Sequence, residues 1–116
     1  MSVQERPFAV RREQRDTGVV VVASGEIDLW SAPEVKGALA GQGSRECPVV
    51  LDLRAVTFMD SSGLGVIVGQ HKRAREEGFR FAVAVAGAAE VERILELSGL
   101  VAVLDIVDAS DALLTQ

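Results

Sequence analysis

The pattern of apolar and polar positions predicts a chain in which short strands and helices alternate. Apolar runs bounded by turn residues predict five strands: Phe8 to Arg15, Val19 to Ile27, Pro48 to Leu53, Phe79 to Ala86 and Val103 to Val107. Apolar residues at helical spacing predict four helices: one from Ser31 to just before Gly41, then Ser61 to Glu77, Ala88 to Ser98 and Asp108 to Thr115. The predicted order is therefore β-β-α-β-α-β-α-β-α.

This order predicts an α/β fold with a mostly parallel mixed sheet and helices packed on it. Strand–helix–strand units place successive strands parallel to one another through right-handed crossovers. The first two strands are separated only by the turn signal Asp16-Thr17-Gly18, so we expect a hairpin whose first strand lies antiparallel at an edge. Ser31 and Glu34 have the spacing of a capping box, which places the start of the first helix.

The composition indicates one compact unit with an aliphatic core. The 116 residues correspond to a single domain, for which we expect bounds of 1–116 and a core from about residue 8 to residue 114. Hydrophobic residues make up 48% of the chain, yet it has four Phe, one Trp and no Tyr. The core must therefore consist of Val, Leu, Ile and Ala, which suits a largely parallel sheet.

Charge and reactive residues exclude several classes of function. A net charge of −5 argues against a nucleic-acid partner, because phosphate binding requires a basic surface. One Cys and one His allow neither an internal disulfide nor the usual zinc spacings, so we expect no metal and no cofactor. No apolar run reaches the roughly 18 residues of a membrane helix, and the first residues lack a signal sequence. We expect a soluble, cytoplasmic protein with no membrane partner.

The segment Asp60-Ser61-Ser62-Gly63-Leu64-Gly65 carries the most informative chemistry. It follows a predicted parallel strand, and sites in α/β folds form at the carboxyl ends of such strands. We predict that Ser61 is the N-cap of the second helix, its hydroxyl accepting from the backbone N–H of Gly63 or Leu64. A phosphate on Ser61 would be tolerated at this helix start. Gly63 and Gly65 each cost about 1 kcal/mol relative to Ala, which indicates a need for bare backbone.

The residues alone leave a structural interpretation open beside the functional one. Ser61 and Asp60 can be simple capping residues, and the glycines can serve tight packing between helix and sheet. Asp28, in Gly25-Glu26-Ile27-Asp28, is either a turn residue or a neighbour of Asp60 and Ser61, since the second and third strands should be adjacent. Trp30 either covers the first helix or is an exposed contact residue.

Enzymatic interpretations fit the sequence poorly. His71 follows Ser61 by ten residues in the same predicted helix, about 15 Å along its axis, so it cannot activate the Ser61 hydroxyl. Gly63, Gly65 and Gly69 miss the dinucleotide-binding fingerprint by one residue and run down the helix, and no P-loop is present. We therefore expect that the protein is not an enzyme.

Three segments together resemble bacterial anti-sigma factor antagonists, which are single STAS domains. The segments are Gly25-Glu26-Ile27-Asp28, the stretch from Leu51-Asp52-Leu53 through Phe58-Met59-Asp60-Ser61-Ser62-Gly63-Leu64-Gly65, and Ser98-Gly99-Leu100. The resemblance runs from about Phe8 to Leu114. It implies a protein that binds an anti-sigma factor, itself a serine kinase, and so frees the sigma factor. It also implies that this kinase phosphorylates Ser61, with Ser62 as a weaker alternative, and that a PP2C-type phosphatase reverses the modification.

The resemblance also implies which residues contact the partner: Asp28, Asp60, Ser61, Ser62, Gly63 and Gly65. Asp60 would position the loop and support phosphorylation, and Asp28 would lie at the partner-facing edge. A phosphate adds a charge of about −1.5 to −2 beside Asp60, so we expect a switch of binding and not of fold. Two alternatives stay open: a stressosome-like STAS sensor or scaffold that does not act on a sigma factor, and a small nucleotide-binding protein.

Overall fold

The computed structural model describes residues 7–108 of the chain. Its elements are β1 (Phe8–Arg15), β2 (Gly18–Ile27), α1 (Ala32–Leu39), β3 (Val49–Met59), α2 (Ser61–Glu77), β4 (Phe81–Ala84), α3 (Ala89–Leu97), a short 3₁₀ helix (Leu100–Ala102) and β5 (Asp105–Val107). The predicted order of strands and helices is confirmed over this range, and the bounds of α2 match the prediction. The predicted closing helix lies outside the described residues, except for Asp108.

The strands form one five-stranded sheet in the order β1-β2-β3-β4-β5. β1 pairs with β2 in antiparallel fashion, with Phe8 opposite Gly25 and Arg15 opposite Gly18. The other neighbouring pairs are parallel. The hairpin and the antiparallel edge strand are thus as predicted. In this arrangement β2 and β3 end side by side, because Ile27 pairs with Met59.

An aliphatic core lies between one face of the sheet and the helices. The sheet contributes buried residues from its central strands: Val19, Val21, Ala23, Val49, Leu51, Leu53, Phe81 and Val83. The helices contribute Val35, Leu39, Ile67, Ala74, Val91 and Leu95. A second, smaller buried cluster on the opposite face consists of Val20, Val50, Ala82 and Ala84. Because both faces of the central strands are buried, their sequences are continuous apolar runs.

The third strand is longer than predicted, and the last two strands are shorter. β3 runs on past Leu53 to Met59 because the second half of β2 continues to pair with it, across two shifts of register. Exposed residues such as Arg54 and Thr57 interrupt the apolar pattern there, so the pattern did not predict that the strand continues. β5 begins only at Asp105, since the chain forms the short 3₁₀ helix after Gly99, whose φ is 79°.

Candidate functional site

The carboxyl ends of β2 and β3 meet at the start of α2, and Asp60 joins them. Its backbone N–H donates to the carbonyl of Ile27 (3.2 Å). Its side-chain Oδ1 accepts from the N–H of Ser62 (2.8 Å), and its carbonyl accepts from Gly63 (3.1 Å) and Leu64 (3.2 Å). Asp60 is therefore the N-cap of α2, and it fixes the helix start to the end of β2.

The prediction that Ser61 caps α2 is wrong. Ser61 is the first residue of the helix, is exposed, and its hydroxyl has no hydrogen-bond partner within residues 7–108. The physical reason is that Asp60 has the extended backbone of a cap residue (φ −108°, ψ −168°), so its carboxylate reaches the N–H two residues on. This leaves the Ser61 hydroxyl free and open to solvent, while Ser62 beside it is half-buried.

Gly63 has a structural explanation. It is buried, and a Cβ on it would overlap Cγ of Met59 and lie 2.7 Å from the Met59 sulfur and 3.0 Å from Cγ2 of Ile27. Real side chains do not approach so closely, and both neighbours belong to the core. Gly63 therefore lets α2 start directly against the ends of β2 and β3, as the packing interpretation proposed.

Packing does not explain Gly65 in the same way. Gly65 and Gly69 are exposed in the interior of α2, and a Cβ on either would meet no atom within 4 Å in residues 7–108, apart from the adjoining backbone of the helix itself. Each lowers helix stability by about 1 kcal/mol relative to Ala. The internal structure gains nothing visible in return, so the exposed glycines point to a requirement outside the domain.

Asp28 is a buried residue that shapes the loop after β2. One carboxylate oxygen, Oδ1, accepts from the backbone N–H groups of Trp30 (2.9 Å) and Ser31 (3.1 Å). The Ser31 hydroxyl in turn accepts from the Asp28 N–H (2.9 Å) and donates to the carbonyl of Glu26 (2.7 Å). The turn interpretation thus holds for the side chain, while the preceding residue, Ile27, is joined to Asp60 by the backbone hydrogen bond given above. A contribution of Asp28 to partner binding stays a prediction.

The predicted capping box at the first helix is wrong. Ser31 does occupy the N-cap position of α1, but its side chain makes no capping hydrogen bond. Its hydroxyl is already engaged by the end of β2, as described above, and Ser31 is buried. The residue therefore holds the loop to the strand instead of closing the helix with Glu34.

Exposed apolar side chains flank this end of the sheet. Trp30 is 81% exposed and Leu29 is 69% exposed, both in the loop that Asp28 holds. Phe58, next to the last residue of β3, is 43% exposed. Of the two alternatives for Trp30, the structure shows the exposed one. Large apolar residues in open positions are typical of protein contact surfaces, and sequence reasoning gave no sign of Leu29 or Phe58.

His71 lies far from Ser61 in the structure. α2 is continuous from Ser61 to Glu77, which keeps His71 about 15 Å away along the axis. Within residues 7–108, no group of three or more His, Cys, Asp or Glu side chains is placed to hold a metal ion. None of the helices in this range has the length and apolar character needed to cross a membrane.

The mixed sheet, the helices packed on its main core and the exposed serine at the start of α2 define a small α/β domain. The chain belongs to the STAS domain family, whose family model matches residues 9–112. The fold expected from the sequence is therefore confirmed.

The relatives of this chain bear the name that the resemblance suggested. An anti-sigma-B factor antagonist of Listeria monocytogenes is 35% identical over 101 residues, covering 85% of this chain and 88% of the relative. An anti-sigma F factor antagonist of Paenibacillus polymyxa is 37% identical over 102 residues, covering 85% and 86%. The two relatives are named for different sigma factors, so the likeness defines a type of regulator and not a pathway.

Solved structures share the fold. The anti-sigma factor antagonist of Mycobacterium paratuberculosis superposes with a TM-score of 0.80 at 29% identity, covering 94% of this chain and 92% of that one. SpoIIAA matches in its unphosphorylated form (TM-score 0.71, 20% identity, 90% and 93% coverage). The phosphorylated form of Bacillus SpoIIAA also matches (TM-score 0.66, 19% identity, 90% and 96% coverage). At these identities the SpoIIAA structures establish the fold alone.

Proposed function

We propose that this chain is an anti-sigma factor antagonist controlled by phosphorylation of Ser61. In its unphosphorylated form it binds an anti-sigma factor that is also a serine kinase, and the sigma factor is released. The observation that carries the proposal is the state of Ser61, which is exposed and stands at the first position of α2, with a hydroxyl that bonds to none of residues 7–108. The names of the relatives support the same function.

The partner would contact the edge where β2 and β3 end and α2 begins. Asp60, Ser61, Ser62 and Gly65 form the start of that surface, the buried Gly63 lets the helix start close beneath it, and Asp28 shapes the adjoining loop. Trp30 is the most exposed large apolar side chain of this region, and an aromatic anchor of this kind contributes strongly to protein interfaces.

Phosphorylation would change the charge of this surface without removing a bond of the fold. A phosphate adds a charge of about −1.5 to −2 next to the Asp60 carboxylate. Since the Ser61 hydroxyl takes no part in the capping of α2, its modification leaves the bond from Ser62 to Asp60 in place. A partner fitted to a neutral hydroxyl would then meet repulsion and desolvation of the new charge.

The remaining parts of the proposal follow from this cycle. A PP2C-type phosphatase returns the protein to its binding form, and the protein has no catalytic activity of its own. Because it binds an anti-sigma factor and thereby frees a sigma factor for transcription, it works in the cytoplasm. It needs neither a cofactor nor direct contact with nucleic acid, which its net charge of −5 disfavours.

The deciding experiment is incubation of the purified chain with a candidate anti-sigma kinase and ATP, followed by peptide mass spectrometry. We expect one phosphate, on Ser61. Ser61→Ala should bind the kinase and resist modification, whereas Ser62→Ala, the matched control one residue on, should still be phosphorylated. Phosphate on Ser62 or on neither residue, or equal kinase binding by the modified and unmodified chains, would contradict the switch. Turnover of ATP by the chain alone would favour the nucleotide-binding alternative.

A further inference from the structure

A groove of about 550 Å³ lies between α1 and α2 and begins beside the phosphorylation site proposed above. The α2 wall carries Ser62, Gly65, Gly69, Gln70 and Arg73, and α1 contributes Lys36 at the rim. From Ser62 to Arg73 the wall follows α2 for about 16 Å. Because Ser61 immediately precedes this wall, a molecule that contacts the serine can continue into the groove.

Two glycines keep this groove open. Gly65 and Gly69 stand one helical turn apart on its wall, and neither is packed against another part of the domain, since a Cβ on either would meet nothing within 4 Å. Side chains here would fill the groove without disturbing the core. The bare backbone of α2 is thus available for close approach by an external segment.

A buried amide in the same wall lacks a partner. Gln70 is only 6% exposed, and its Nε2 has no hydrogen-bond acceptor among the residues from 7 to 108. Its Oε1 accepts from Nε of Arg73 at 3.4 Å, which orients the amide and leaves Nε2 as the unused donor. Buried donors without acceptors are rare in folded proteins. Because Gln70 is one of the residues that line the groove, a rotation of its side chain would bring this donor to a carbonyl or carboxylate bound there.

The charged residues that line the groove are two cations, Lys36 and Arg73, and Arg73 is ion-paired with Glu77. Among residues 7–108, no acidic side chain lines the groove, although the net charge of the chain is −5. Arg73 is held in place by Glu77 (3.0 Å) and by the carbonyl of Leu39 (3.4 Å), so it forms part of the wall. Lys36 is exposed and has no ion-pair partner in the described part of the chain. A ligand with a negative charge would fit this rim.

We propose that the α1–α2 groove receives an acidic segment of the anti-sigma partner. The segment approaches the backbone at Gly65 and Gly69, presents an acceptor to Gln70 and places a carboxylate near Lys36. This inference rests on the proposed function and extends the contact surface from Ser61 along α2.

The test compares two glycine substitutions. Gly69→Leu fills the groove, while Gly37→Leu is the matched control, because Gly37 is an exposed glycine of α1 with nothing within 4 Å and does not line the groove. Both changes replace glycine by a better helix former, so each should raise the Tm, by about 4 °C. In isothermal titration with the purified anti-sigma kinase, Gly69→Leu should bind more weakly than wild type, by about tenfold or more. The affinity of Gly37→Leu should equal that of wild type. A loss of affinity in a more stable protein cannot be ascribed to misfolding.

Two further variants make the outcome decisive. Lys36→Glu should weaken binding, and the loss should shrink as salt is raised, because it arises from charge repulsion. Ser61→Asp measures the proposed switch in the same assay. If Ser61→Asp abolishes binding while Gly69→Leu and Lys36→Glu bind like wild type, the groove proposal is overturned and the proposed function stands. If the wild-type chain fails to bind the kinase, both are overturned. A wild-type dimer that Gly69→Leu converts to monomer would assign the groove to a second copy and also refute the proposal.

Discussion

Replacing Asp60 by Ala should destabilise the protein, whereas replacing Ser61 by Ala should not. The Asp60 carboxylate accepts a hydrogen bond from the N–H of Ser62 at 2.8 Å, and the Ser61 hydroxyl accepts none within residues 7–108. Loss of an N-cap side chain costs about 1 kcal/mol, and loss of a carboxylate near a helix start costs about 0.3–1 kcal/mol more. The expected loss for Asp60→Ala is therefore about 1–2 kcal/mol.

The chain length converts this loss into a shift of melting temperature. Unfolding entropies of about 2.1 cal/mol/K per residue give about 0.24 kcal/mol per degree for 116 residues. Asp60→Ala should thus lower the Tm by about 4–8 °C. Ser61→Ala removes an exposed hydroxyl that makes no hydrogen bond with the described part of the chain, so its effect should stay within about 0.5 kcal/mol, or about 2 °C.

Thermal unfolding followed by circular dichroism measures both variants, and urea titration provides an independent free energy. Asp60→Asn serves as the control, because Asn caps helices as well as Asp does and removes only the charge. The loss of stability for Asp60→Asn should lie between those for Ser61→Ala and Asp60→Ala. If Ser61→Ala destabilises the protein as much as Asp60→Ala, the Ser61 hydroxyl is the cap, and the argument that phosphorylation leaves the helix start intact loses its basis.

Two further predictions compare residues of the same type, one buried and one exposed. Gly63→Ala should lower the unfolding free energy by about 1–3 kcal/mol, because the added methyl overlaps Met59. Gly65→Ala should raise it by about 1 kcal/mol, because the added methyl meets no neighbour and alanine favours the helix. Equal effects in urea titration would refute the conclusion that only Gly63 is required by packing. Ser31→Ala should lower the unfolding free energy by about 1–3 kcal/mol, since the Asp28 N–H and the Glu26 carbonyl lose the hydroxyl that they bond to. Ser44→Ala, at an exposed position, should leave the unfolding free energy unchanged in the same titration.

The sequence determined the order of the elements and the location of the site. The β-branched run of β2, the turn before it and the apolar spacing of α2 each arise from local rules, so the hairpin and the bounds Ser61–Glu77 could be predicted. The Asp, Ser and Gly residues from Asp60 to Gly65, directly after a predicted parallel strand, also indicated where the site lies. The family resemblance then supplied a function that periodicity and spacing left undecided.

Tertiary structure decided what each residue of the site does. Asp60 and Ser61 are both competent N-caps, and the choice between them depends on how Asp60 is held, with its N–H bonded to Ile27 on the neighbouring strand. Gly63 and Gly65 are the same residue type two positions apart in one helix. One faces Met59 and the other faces solvent, and only the packed chain separates a glycine required by the core from one available to a partner. Local sequence rules act over a few residues, whereas these roles come from contacts between strands and helices distant along the chain.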